Sequence, residues 1–225
     1  MKIKWLGHAC FLLTSAEGTK VLTDPYNEKM GYPAQKVKAD IVTVSHGHGD
    51  HNNLAMAEGK YQLVDQPGHY TIKDADIDDV DIVGVPTFHD DAGGAKRGRN
   101  IIFKITMDDV SVCHCGDLGH PLLLEQAREI GRVDVLLVPV DAFFTMDART
   151  AATVARQLKP TVTIPMHYRT EALAMPGRER LDTEDKFVAE MGGARRPGRQ
   201  EIELTPESLR DWAGVVVLDY RQSSI

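Results

Sequence analysis

The chain has 225 residues, 42% hydrophobic and 26% charged, the balance of an ordinary globular domain rather than a disordered or fibrous chain. A net charge of -7 weighs against a nucleic-acid partner held on a broad basic face, while leaving room for a local basic pocket. Three cysteines, Cys10, Cys113 and Cys115, with no CxxC pair, weigh against a disulfide scaffold and point to a reduced, cytoplasmic protein.

The first residues, Met1-Lys2-Ile3-Lys4-Trp5, have a strand-like pattern without the apolar region and cleavage site of a signal peptide. No apolar run approaches the ~18 residues that span a bilayer, so no membrane partner is expected. Residues 2–5, Cys10–Thr14 and Lys20–Thr23 are short apolar runs broken by Gly7 and by the turn pair Glu17-Gly18, and predict three strands. Residues 41–45 predict a buried strand by their β-branched content, 52–58 a short helix, and Gln62–Val64 a strand. His69, in Pro67-Gly68-His69-Tyr70, reads as a turn residue. A strand over 80–88 follows, then a hairpin of 100–107 and Val110–His114 around Asp108-Asp109. Residues 121–130 have helical spacing, with Gly131 as C-terminal cap. A buried strand at 133–140, a helix at 147–158 stopped before Pro160, and a strand at 161–166 come next. A helix at 184–191 is closed by Gly192-Gly193, and 202–204 and 215–218 predict the last strands. With no linker or low-complexity tract, one domain over 1–225 is expected. Strands first, then strands alternating with helices, suit a layered α/β sandwich with mixed sheets.

The segment Ser45-His46-Gly47-His48-Gly49-Asp50-His51 packs three imidazoles and a carboxylate into six residues. All four are good ligands for a borderline divalent metal. Gly47 and Gly49 free the backbone to bend, so residues two apart need not face opposite ways. The apolar strand before it would deliver this loop rigidly to a sheet edge. Clustered imidazoles without a cation would cost repulsion and desolvation, which disfavours a plain His-rich loop. Three further apolar strands each hand over one donor at the same terminus: His89, Asp117 and His167. Cys113 and Cys115 point to one side of a strand and read as core thiols rather than ligands.

His46-x-His48-x-Asp50-His51 followed by His89, Asp117 and His167 resembles the metallo-β-lactamase fold superfamily. More closely, the chain is similar to bacterial metal-dependent hydrolases related to ascorbate-phosphate lactonase. Trp5-Leu6-Gly7-His8-Ala9-Cys10-Phe11, Asp24-Pro25-Tyr26, Arg97-Gly98-Arg99-Asn100, Gly116-Asp117-Leu118-Gly119-His120 and Ile164-Pro165-Met166-His167-Tyr168 carry that likeness. The resemblance implies an αββα sandwich of two mixed β-sheets flanked by helices. It implies that His46, His48 and His89 hold one divalent ion, Asp50, His51 and His167 a second, and that Asp117 bridges them. Zinc is the expected ion, with manganese and iron also suited to nitrogen and oxygen donors. Such a pair shares a hydroxide and hydrolyses a small anionic ester, lactone or phosphodiester. Asp50 or Asp117 would accept a proton during turnover, and His120 would donate one. The chain departs from the family at Val140-Asp141-Ala142-Phe143-Phe144-Thr145, where relatives often carry a glycine pair.

His8, Asp24, Arg97 and Asn100 are the candidates for shaping the substrate pocket. His8 and Asp24 suit roles orienting a ligand imidazole. Arg97, with Lys96 and Arg99 in a glycine-rich loop, suits an anionic substrate group. His114 reads as a core or ligand-orienting histidine, and the stretch 171–180 is a candidate lid. Two other readings are a nuclease, for which the chain lacks a basic arm, and a non-catalytic metal-bound regulatory protein. A small-molecule substrate and a homo-oligomer are the expected partners.

Overall fold

The computed structural model describes residues 1–33, 36–74 and 77–221. In chain order the strands are β1 (Lys2–Gly7), β2 (Cys10–Thr14), β3 (Lys20–Thr23), β4 (Val37–Lys38), β5 (Ile41–Thr43), β6 (Ala57–Glu58), β7 (Gln62–Val64), β8 (Gly68–Asp74) and β9 (Ile77–Phe88). They continue with β10 (Arg99–Met107), β11 (Val110–His114), β12 (Val135–Pro139), β13 (Val162–Met166), β14 (Glu201–Glu203) and β15 (Gly214–Val215). The α-helices are α1 (Leu124–Ile130), α2 (Ala148–Leu158) and α3 (Asp185–Glu190).

Two mixed sheets face each other. One has the order β14-β1-β2-β3-β5-β7, the other β15-β13-β12-β11-β10-β9-β8. Each is antiparallel in one part and parallel in the other: β3, β5 and β7 run parallel in the first, β11, β12, β13 and β15 in the second. The expected α/β sandwich is therefore the observed one. Along β1, Ile3 and Trp5 point into the core while Lys2 and Lys4 alternate outward, the signature of a sheet wet on one face. Strands β11, β12 and β13 are buried at every residue, because α2 covers the outer side of β12. Trp5, Phe11 and Phe103 are the large side chains in the layer between the sheets. The free thiols Cys113 and Cys115 lie in the same core.

Three expectations need correction. Residues 52–58 form no α-helix: a single 3-10 turn over Leu54–Met56 gives way to β6, which pairs with Val37 and Lys38. Residues 68–70 are not a turn but the start of β8, with His69 opposite Val83 and largely exposed. The helix expected from 121 begins at Leu124, since Leu123 is extended and its carbonyl opens the first helical bond.

Candidate metal centre

Seven strands end at one edge of the sandwich, and each is followed by a polar residue of the site. His8 follows β1, Asp24 follows β3, and the 45–51 loop follows β5; His89 follows β9 and Asp117 follows β11. Asp141 lies beyond β12 and His167 beyond β13. Five of these strands lie in the parallel halves of the sheets, and β1 and β9, each one antiparallel strand away, run the same way, so the carboxyl ends meet at one edge, the usual place for a site in such layers. His8, Asp24, Ala142 and His167 all have positive φ (54°, 40°, 64° and 57°), a left-handed backbone that costs non-glycine residues roughly 1–2 kcal/mol each. That strain concentrates at the edge where the donors converge. Gly116 has the same hand and no room for a side chain: a Cβ there would sit 2.6 Å from the Ser45 Cβ and against the Asn100 amide oxygen.

The donor atoms fall into three overlapping groups, each within 4.8 Å of one another: His46, His48, His89 and Asp117; His8, Asp50, His51 and His167; and Asp24, His46 and His51. Asp117 faces the first two. Its Oδ2 lies 2.9 Å from His89 Nε2 and 3.2 Å from His51 Nε2, and its Oδ1 lies 3.3 Å from His167 Nε2. His46 Nε2 and His48 Nδ1 approach to 3.0 Å. The structure thus brings together all seven donors expected from the sequence. His51, His89, Asp117 and His167 are buried, while His48 is exposed and His46 and Asp50 are half-buried.

Behind the donors sits an orienting layer. Asp24, wholly buried, accepts from the Ser45 amide at 2.8 Å and the Ser45 hydroxyl at 2.5 Å, and lies 2.9 Å from His51 Nδ1. Asp141, also wholly buried, places Oδ2 2.9 Å from His167 Nδ1. Its Oδ1 accepts from the amides of Phe143, at 2.7 Å, and Phe144, at 2.5 Å. With Nδ1 turned to a carboxylate, each ring presents Nε2 to the centre.

For the protein without a cation, burial pulls the His46 pKa down to about 3 and the His8 pKa to about 4, so both rings are neutral with lone pairs available. Burial also lowers His48. In His51 and His167 burial acts the same way, but Asp117 with Asp24 or Asp141 outweighs it: His51 rises well above its usual value and His167 to about 10. Burial works against ionised Asp117, yet the His167 and His51 rings hold its carboxyl well below the usual range.

The remaining expected residues sort by contact. Asp24 lies 2.9 Å from His51 Nδ1, where a carboxylate that orients the ring would sit. His8 is fully buried, its Nε2 3.2 Å from Asp50 Oδ2, and its carbonyl accepts from the Trp5 indole at 3.0 Å and the His167 amide at 3.1 Å. Asn100 is buried, its Oδ1 accepts from the Asp117 amide at 2.9 Å, and it also lines the cavity beside the centre. Arg97 donates to the Phe143 carbonyl at 2.9 Å and lies over the Phe144 ring. His120, the candidate proton donor, has Nε2 accepting from the Phe88 amide at 3.2 Å and Nδ1 2.7 Å from the Pro121 carbonyl. His114 likewise ties the Ala9 carbonyl to the Gly116 amide. The stretch 171–180 packs on the body through wholly buried Leu173 and the bond from the Ala174 amide to the Met30 carbonyl. Asp141 is legible in the sequence only as a departure from the family. Its signal there is an acid at the end of an apolar strand, the same mark that reveals Asp117.

The residues fit a cation. His51 Nε2, His167 Nε2 and Asp117 Oδ1 are buried without a hydrogen-bond partner, and they converge with nitrogen and oxygen donors only. A family profile described as the β-lactamase superfamily domain matches residues 2–167, and the chain belongs to the metallo-β-lactamase superfamily. It is a metal-dependent hydrolase of that superfamily. It is 34% identical over 197 residues to a UPF0173 metal-dependent hydrolase of Archaeoglobus fulgidus, a match covering 76% of this chain and 84% of that one. A UPF0173 metal-dependent hydrolase of Thermococcus kodakarensis is 32% identical over 195 residues, covering 76% and 85%. Among solved structures, a Thermotoga maritima protein described as a Zn-dependent hydrolase of this superfamily is 38% identical, with a TM-score of 0.77 over 96% of this chain and 97% of that one.

Proposed function

We propose that the chain hydrolyses a small anionic ester, lactone or phosphodiester at a centre for two divalent ions, with zinc as the ion. His46, His48 and His89 would hold one, Asp50, His51 and His167 the other, with Asp117 between them. The observation that carries this reading is the division of donors into two groups that share Asp117 as a common neighbour. The zinc dependence ascribed to the Thermotoga maritima relative supports the choice of ion. Two such ions, when bound, make hydroxide available near neutral pH and polarise the scissile carbonyl or phosphoryl group. The protein's own part is orientation and proton handling. Asp24 and Asp141 turn the Nε2 atoms of His51 and His167 inward, and Asn100 fixes the Asp117 backbone. Asp50 is the proton acceptor: its side chain is 24% exposed where that of Asp117 is 3%, so it reaches incoming water. The buried free thiols support a cytoplasmic setting for this chemistry.

Elemental analysis of purified protein, followed by a screen of esters, lactones and phosphodiesters with each metal, tests the proposal. Wild type is expected to carry two ions per chain, and His48→Ala and Asp50→Ala to lose metal and activity together. Full activity in a metal-free variant overturns it.

A further inference from the structure

A cavity of about 860 Å3 opens beside the mouth of the centre, with His46 and His48 in its wall. That volume lies within the range of sites that engulf a drug-sized molecule. Away from the histidines the wall is mixed: Val44, Leu54, Leu63, Pro86 and Phe88 give it an apolar part, and polar side chains such as Asn52, Gln66 and Thr87 line the rest. Leu63 is 39% exposed, one of three large apolar side chains left so among the described residues.

The cavity also departs from the chain's acidic balance. Arg97 and Arg99 line it against one carboxylate, Asp65, although the whole chain carries -7. Arg97 is spoken for by the Phe143 carbonyl. Arg99 is exposed and makes no ion pair within 4.0 Å with the described carboxylates. It stands opposite Phe88 in the ladder between β9 and β10, so a cation and an aromatic ring share one rim of the trough. A sugar phosphate would leave the apolar part of the wall uncovered, and a neutral lipid would leave the guanidinium unanswered.

We infer that the substrate carries an apolar acyl or aryl arm that lies in this trough and a carboxylate or phosphate that pairs with Arg99. This narrows the substrate class of the proposed hydrolase and rests on that reading for the position of the scissile bond. The arm covers Leu63 and Phe88, and the scissile group lies at the His46 and His48 end.

The test is calorimetric binding to zinc-reconstituted protein of two linear series from four to twelve carbons, monocarboxylates and α,ω-dicarboxylates. Monocarboxylate affinity is expected to rise about two- to fourfold per added methylene until the trough is filled. Dicarboxylates long enough to reach Arg99 are expected to bind about fivefold tighter than monocarboxylates of equal length, an advantage that Arg99→Ala removes. Leu63→Asp, at an exposed position and checked for folding by circular dichroism, is expected to flatten the length dependence. A flat wild-type series, or a slope unchanged in Leu63→Asp, overturns the inference. Binding is read without turnover. Length-dependent binding with no hydrolysis of esters, lactones or phosphodiesters would therefore sink the proposed reaction alone, whereas hydrolysis with flat binding would sink the trough alone.

Discussion

The two halves of the centre are built differently. In the deep half, His51 and His167 are fully buried and each has a buried carboxylate, Asp24 or Asp141, 2.9 Å behind its Nδ1. In the mouth half, His46 has a neutral hydroxyl, that of Ser45, 2.9 Å from its Nδ1, and His48 is exposed. His89 Nδ1 is buried with no partner. A carboxylate behind an imidazole fixes the tautomer and raises basicity, while a hydroxyl only orients. The deep half is thus preorganised for a cation, and the mouth half keeps the freedom that an entering ligand needs.

The largest effect is expected where the halves meet. Asp117→Ala should abolish both metal content and activity, read by elemental analysis and by turnover of any substrate the screen identifies; retention of one full equivalent of metal would show the halves to be independent. Asp141→Asn comes next. It should weaken deep-half metal affinity about 10- to 100-fold in chelator competition, with the mouth half unchanged. Ser45→Ala should weaken mouth-half binding by less than about tenfold, and equal losses in the two variants would erase the distinction.

Proton release sharpens the contrast further. At pH 7 the deep-half rings carry protons in the absence of metal, since His51 is raised and His167 titrates at about 10, whereas His46 at about 3 carries none. Displacing the protons of His51 and His167 on loading the deep half should therefore release protons that His46 does not hold, as measured by calorimetry in buffers of differing ionisation enthalpy. The smallest effect concerns the metal-free fold. His167 is raised from 6.5 to about 10, so its contribution to stability is complete below 6.5 and disappears as pH rises through about 10. Metal-free protein should melt at progressively lower temperature across that window. Flat melting would remove His167 as a source of pH dependence.

The donors themselves are readable in the sequence because metal chemistry demands particular side chains, and the 46–51 spacing places four on one loop. His89, Asp117 and His167 are readable because each ends an apolar run, where a strand delivers its next residue to a sheet edge. What stays hidden is relational. Nothing in Asp141 announces that it backs His167, since that contact depends on β12 and β13 lying side by side in parallel. His120 looks free because its sequence neighbours are glycine and proline, but tertiary packing gives its Nε2 to the Phe88 amide. Strand β8 is obscured by Pro67-Gly68, a turn signal that here only marks where the strand begins.

The His8 carbonyl, clasped by the Trp5 indole and the His167 amide, joins the opening of the chain to its last donor. A nascent chain emerging from the ribosome therefore cannot close the deep half until β13 has folded back against β1. A polypeptide truncated ahead of residue 167 would keep the mouth-half donors but have no closed deep half to offer.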